Sequence, residues 1–124
     1  MESLTPNIFV KDINSTIEYY QHLGFELTMT VPETGAYDWA MMNCGTVTFM
    51  FQSYANLGSE LPQISRRDGG SLLLYIKIKE IRKFYDRIKD KVDVISGLEK
   101  TFYGATEFSI LDINNYVLTF AEDE

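Results

Sequence analysis

Hydrophobic and polar positions alternate over short stretches of this chain and twice give way to a helical period. Residues 4–10, Leu-Thr-Pro-Asn-Ile-Phe-Val, read as a strand, with Pro6 acceptable near its start. A helix is predicted directly after it. Ile13, Ile17, Tyr20 and Leu23 share one face, Asn14 or Ser15 can cap it, Ser15 with Glu18 fits the S-x-x-E box, and Gly24 offers a left-handed residue at its end. Strands are then expected at 25–31, 37–42 and 46–53, the last alternating Val47, Phe49 and Phe51 with Thr48, Met50 and Gln52. Asn43-Cys44-Gly45 reads as the hairpin turn between the last two.

From Ser53 to Gly70 no period is sustained, Gly58, Pro62, Gly69 and Gly70 interrupt the chain, and Arg66-Arg67-Asp68 form a local charge cluster. The same grammar then restarts. A strand is predicted at 71–78, a helix at 81–90 with Ile81, Phe84 and Ile88 on one face, and strands near 92–96, 106–111 and 116–121. Each half reads strand, helix, strand, strand, strand. The expectation is one α+β domain built of two tandem βαβββ modules, spanning residues 1–53 and 71–124, with 54–70 connecting them.

The two halves can be laid on each other. Val10-Lys11-Asp12-Ile13 matches Ile78-Lys79-Glu80-Ile81 at an offset of 68, and Tyr19-Tyr20 matches Phe84-Tyr85 at 65. Farther on, an ungapped offset of 69 places Trp39 and Met41 on Phe108 and Ile110, and Phe49 and Phe51 on Leu118 and Phe120.

Composition narrows the partners. The 124 residues are 45% hydrophobic and 23% charged, enough for one globular domain, and eighteen acids against eleven bases give a net charge of −7. That field repels phosphate backbones and anionic lipid, so neither nucleic acid nor a membrane surface is expected as a partner. Residues 1–62 carry seven acids and one base, and seven of the remaining ten bases lie between Lys77 and Lys91, where a solvated helix face is the simpler explanation. The single cysteine, Cys44, and an N-terminus lacking a basic and apolar leader point to the cytoplasm. Walker, G-x-G-x-x-G, C-x-x-C and G-x-S-x-G motifs are absent, and Cys44 has no argued base beside it.

Several segments together resemble the vicinal-oxygen-chelate superfamily, which includes glyoxalases, extradiol dioxygenases, and fosfomycin and bleomycin resistance proteins. They are Val10-Lys11-Asp12-Ile13, Tyr19-Tyr20, Leu23-Gly24-Phe25, Phe102-Tyr103-Gly104 with Glu107-Phe108, and Asp112-Ile113-Asn114-Asn115-Tyr116-Val117-Leu118. The resemblance implies paired βαβββ modules whose sheets curl around a cavity, commonly in a homodimer. Where the family has Asp-Pro-x-Gly this chain has Asp112-Ile113-Asn114-Asn115, and asparagine tolerates the positive φ such a turn demands.

The resemblance also implies four metal-ligand positions, two per module, which fall on Thr5, Met50, Leu73 and Thr119. A divalent ion of this class wants imidazole nitrogen or carboxylate oxygen, and these four supply neither. Residues 3–7, 48–52, 71–75 and 117–121 contain no His, Asp, Glu or Cys, and the only histidine, His22, sits at the end of the first helix. No metal, cofactor or catalytic residue is therefore expected.

Strand parity separates an apolar set suited to packing under the helices from a mixed set on the opposite faces. The second set includes Asn7, Phe9, Met50, Gln52, Tyr75 and Thr119. Trp39, beside Asp38, could stack on a planar or cationic ligand as such residues do in bleomycin-binding relatives, or could be core. Tyr103 and Glu107 join the candidates for ligand contact. The expectation is sequestration of a small organic ligand, cationic or aromatic, by a cytoplasmic homodimer without metal. Its rivals are an enzyme of the same superfamily with displaced ligands, or with Glu107 or Asp38 as a base, and an interaction module with a filled cavity.

Overall fold

The computed structural model describes residues 1–124. The chain forms two compact units, Met1–Asp68 and Gly69–Glu124. Unit 1 runs β1 (Asn7–Val10), α1 (Ile13–His22), β2 (Glu26–Val31), β3 (Trp39–Cys44), β4 (Val47–Ser53) and a short α2 (Tyr54–Leu57). Unit 2 runs β5 (Leu73–Lys77), α3 (Ile81–Ile88), β6 (Asp93–Lys100), β7 (Ala105–Leu111) and β8 (Val117–Asp123). Both are βαβββ units, as the sequence pattern predicts, and α2 is an addition inside the segment expected to be featureless.

Each unit forms its own open, four-stranded mixed sheet, in the order β1-β4-β3-β2 and β5-β8-β7-β6. The first strand of each runs parallel to the last and the other pairs are antiparallel. The helix between the first two strands carries the chain across the sheet, as a parallel pair requires. In unit 1, Tyr20 of α1 sits with its ring 4.9 to 5.7 Å from those of Phe25, Phe49 and Phe51, and Val10, Ala40 and Met42 complete the core. In unit 2, Phe84 of α3 lies 5.9 Å from Phe108 and 4.8 Å from Phe120, and Ile110 and Leu118 are buried in the same core. Edge-to-face aromatic pairs of this kind add to the burial that each unit gains beneath its helix.

The matching helix starts are capped differently. Asp12, rather than Asn14 or Ser15, is the N-cap of α1: its carboxylate accepts the N–H groups of Asn14 at 3.0 Å and Ser15 at 3.4 Å. Ser15 instead donates its hydroxyl to the Asp12 carbonyl, so the expected capping box does not form. At the equivalent place in unit 2, Glu80 turns through φ 57 and uses no side-chain cap of its own. Glu122 of β8 supplies the carboxylate there, accepting from Glu80 N at 2.9 Å and Ile81 N at 3.2 Å.

The hairpins correct the internal alignment. Cys44 pairs with Val47, leaving Gly45 and Thr46 as the turn rather than Asn43-Cys44-Gly45. Gly45 takes φ 58 and Thr46 does not take positive φ, the pattern of a type II′ turn. In unit 2 the Asp112 N–H donates to the Tyr116 carbonyl at 2.8 Å across Ile113, Asn114 and Asn115. This loop is one residue longer. Asn115 carries the positive φ of 65, and Asp112 Oδ1 accepts the N–H groups of Asn114 and Tyr116, both at 2.8 Å. The offset is therefore 68 for β1 and β3 against β5 and β7, and 69 for β4 against β8. Ala40 and Met42, which are buried, match Phe108 and Ile110, and Trp39 matches Glu107 instead of Phe108.

Arg66 organises the segment after α2. Its guanidinium donates to the carbonyls of Gly58 at 2.9 Å, Leu61 at 2.7 Å, Ile64 at 2.6 Å and Glu60. Tyr54 ties the same segment down by donating its hydroxyl to the Arg67 carbonyl at 2.5 Å. No helix is long and apolar enough to cross a membrane.

Candidate functional site

The register of unit 1 puts Asn7 opposite Met50, Phe9 opposite Gln52, Trp39 opposite Gln52, and Met41 opposite Met50. Paired residues project to the same side of a sheet, and their neighbours Phe49 and Phe51 face α1, so this group occupies the helix-free face. Five of the sequence candidates, Asn7, Phe9, Trp39, Met50 and Gln52, thus share one surface. None of the five is fully buried. Trp39 is not core: the alternation along β3 buries Ala40 and Met42 beneath the helix and turns the indole the other way.

A directional amide chain runs across this face. Asn7 donates through Nδ2 to Gln52 Oε1 at 2.9 Å, and Gln52 donates through Nε2 to Asn56 Oδ1 at 2.9 Å. Asn7 Oδ1 is buried with no hydrogen-bond partner. A buried acceptor without a donor costs desolvation energy. Asn56 was not singled out by strand parity because it lies on α2, within the irregular segment.

In unit 2 the helix-free face carries Tyr75 opposite Thr119, Ser109 opposite Thr119, and Glu107 opposite Ala121. Tyr75 and Tyr103 both donate their hydroxyls to Oε2 of Glu107, the second at 2.5 Å. Tyr103 reaches the carboxylate from the loop before β7, where Gly104 takes φ 84 and Gly104 N donates to the Thr101 carbonyl at 3.4 Å. The hydrogen bond to Glu107, then burial and the nearby negative charge, push both phenol pKa values above the ordinary tyrosine value of 10.0. Thr119 is buried and shares a 2.8 Å hydrogen bond with Ser109. The four candidates of this module, Tyr75, Tyr103, Glu107 and Thr119, therefore belong to one face, with three of them in direct contact. Ser109 was legible by the same parity as Glu107 and was missed.

The two faces match position for position. Asn7 corresponds to Tyr75, Met50 to Thr119, Trp39 to Glu107 and Gln52 to Ala121, at the offsets of 68 and 69 set by the hairpins. One module thus presents amides, a thioether and an indole where the other presents two phenols and a carboxylate.

The four positions at which the family resemblance implies a metal site do not suit one. Met50 and Thr119 stand at matching points of β4 and β8, Leu73 is the first residue of β5, and Thr5 lies two residues before β1. A thioether, two hydroxyls, one of them bonded to Ser109, and an isobutyl group form no donor set for a hard or borderline divalent ion. Nowhere do three His, Cys, Asp or Glu side chains come together in a way that could hold a metal ion.

The fold is shared with several solved structures. TioX from Micromonospora sp. ML1 superposes with a TM-score of 0.79 at 14% identity over the whole of both chains. A bleomycin-binding protein in complex with bleomycin gives 0.69 at 20% identity, again over the whole of both chains. A glyoxalase/bleomycin resistance protein/dioxygenase family enzyme from Burkholderia phytofirmans PsJN gives 0.79 at 20% identity over 97% of each chain. No curated protein matches the sequence significantly. The model of one family matches residues 4–120, and the chain belongs to that family, the Glyoxalase/Bleomycin resistance protein/Dioxygenase superfamily.

Proposed function

We propose that this protein binds a small organic molecule on the helix-free faces of its sheets without catalysing a reaction, and that it does so as a cytoplasmic homodimer. The observation that carries the proposal is the chemistry of those faces. Thr5, Met50, Leu73 and Thr119 lack the means of holding a catalytic ion, while the face of the first unit carries an indole and amides and that of the second carries phenols and one carboxylate. Such a surface, mostly apolar or aromatic with a few placed polar groups, recognises an organic ligand by shape and a handful of hydrogen bonds. The fold it shares with a bleomycin-binding protein is consistent with that use.

A thermal-unfolding screen tests the proposal, with aromatic and cationic organic compounds in one arm and Ni²⁺, Zn²⁺, Mn²⁺ and Fe²⁺ in the other. A ligand present at about 100 times its dissociation constant adds about 2.7 kcal/mol of stability. Stabilisation by an organic compound and by none of the metals is the expected result. Stoichiometric binding of one divalent ion per chain, with turnover of a superfamily substrate, contradicts it, and chain mass by light scattering tests the dimer.

A further inference from the structure

We infer that Glu107, Tyr75 and Tyr103 form a subsite for a primary ammonium group of the ligand; the inference rests on the binding function proposed above and names one chemical feature of what is bound. The hydroxyls of Tyr75 and Tyr103 converge on a single oxygen, Oε2 of Glu107. Each phenol has one proton, and both protons are spent on that carboxylate. What the cluster has left to offer is therefore acceptor only: the second carboxylate oxygen of Glu107 and the lone pairs of the Tyr75 phenol oxygen. The Thr101 hydroxyl stands within hydrogen-bond reach of the Tyr103 phenol and of the Ala105 carbonyl, the latter at 3.3 Å.

An acceptor-only cluster bearing a carboxylate selects for a group that has several N–H donors and a positive charge. A primary ammonium has three donors and no acceptor, which suits a group of acceptor oxygens that includes a carboxylate. A carboxylate or phosphate would meet the like charge of Glu107, and a carbonyl would find no phenol proton left to accept, since both are given to that carboxylate and the nearby Lys77 ammonium is paired with Asp123. The cluster is open to a ligand, since Tyr75 is 44% and Tyr103 57% exposed.

The protein already seats an ammonium of its own beside this cluster. Lys77 Nζ lies 5.7 Å from the centre of the Tyr75 ring, within the range at which a cation is drawn to an aromatic face. That lysine does not neutralise Glu107, because it is paired with Asp123. The charge of Glu107 stays available. Trp39 holds the matching position in the other module, so the two otherwise equivalent faces differ here in the chemistry they offer.

The test uses three probes of one shape with the full chain: benzylammonium, benzyltrimethylammonium and benzyl alcohol, followed through the ring NMR signals of Tyr75 and Tyr103. Benzylammonium is expected to shift these signals saturably, and to bind about tenfold more tightly than either of the other two, since charge-assisted hydrogen bonds are stronger than neutral ones. Glu107→Gln should weaken it about tenfold, and Tyr103→Phe should weaken it severalfold without loss of the folded spectrum. Equal binding of benzyltrimethylammonium overturns the acceptor argument, and equal binding of benzyl alcohol, or no response from any probe, overturns the subsite. Binding of neutral aromatics at Trp39 under those same conditions would leave the broader binding function standing.

Discussion

Glu122, on the last strand of the second module, caps the helix that Glu80 opens. Its carboxylate accepts the Glu80 and Ile81 N–H groups, while at the corresponding point of the first module Asp12 caps its own helix. A contact distant in sequence has replaced a local one, and it fastens α3 to β8.

Glu122→Ala and Asp12→Ala should each cost about 1 kcal/mol, the usual loss for removing a helix N-cap acceptor. Urea unfolding measures both. Asp12→Asn should retain most of the stability because the amide oxygen still accepts, whereas Glu122→Gln can serve only one of its two N–H groups well and should recover part of the loss.

Arg66 should not tolerate lysine. A guanidinium spreads its N–H groups in a plane wide enough to reach the carbonyls of Gly58, Glu60, Leu61 and Ile64, and an ammonium cannot span them. Arg66→Lys is expected to cost about 1–2 kcal/mol and to speed cleavage between residues 58 and 66 in limited proteolysis. Unchanged proteolysis would contradict the role assigned to this side chain.

The phenols of Tyr75 and Tyr103 must lose their protons against the charge of Glu107. Ultraviolet titration should therefore show two tyrosines ionising above the ordinary value of 10.0, and Glu107→Gln should bring both back toward it. The folded chain then holds protons that the unfolded chain has released. Whatever stability the pair contributes is complete below about pH 10 and is lost as the pH rises past the unfolded value.

Phe51 lies fully buried against Tyr20 and Phe49. Phe51→Leu should cost about 1–2 kcal/mol by leaving part of the ring volume empty. Trp39→Phe, on the opposite face of the same sheet, should leave the unfolding midpoint almost unchanged. Comparable losses from the two substitutions would place Trp39 in the core after all.

The sequence pattern gave away the modules because alternation and helical period are local properties. Phe49 and Phe51 against Met50 and Gln52, or Ile81, Phe84 and Ile88, announce which side faces the core before any partner is known. Capping was less legible. Asp12 stands one residue ahead of the apolar periodic run and competes with Asn14 and Ser15, and Glu122 is invisible to a search within the helix it caps. The alignment of Trp39 with Phe108 failed on a single residue of loop length, Gly45-Thr46 against Ile113-Asn114-Asn115, and a one-residue slip moves every side chain to the other face. Parity placed Asn7, Phe9, Met50, Gln52, Tyr75 and Thr119 on their faces, but not Trp39, Tyr103 or Glu107. The amide chain ending at Asn56, and the convergence of two tyrosines on one oxygen of Glu107, depend on side-chain placement that parity does not give.

Mapping a bound ligand tests the central claim most directly. An organic compound that stabilises the protein should be titrated into it while the Met50 methyl, the Trp39 indole N–H, the Asn7 and Gln52 amides and the rings of Tyr75 and Tyr103 are followed by NMR. The account predicts saturable shifts concentrated on these helix-free faces, with the outer surfaces of α1 and α3 unmoved. Shifts confined to the helices, or a compound that binds only together with a divalent ion, would contradict it.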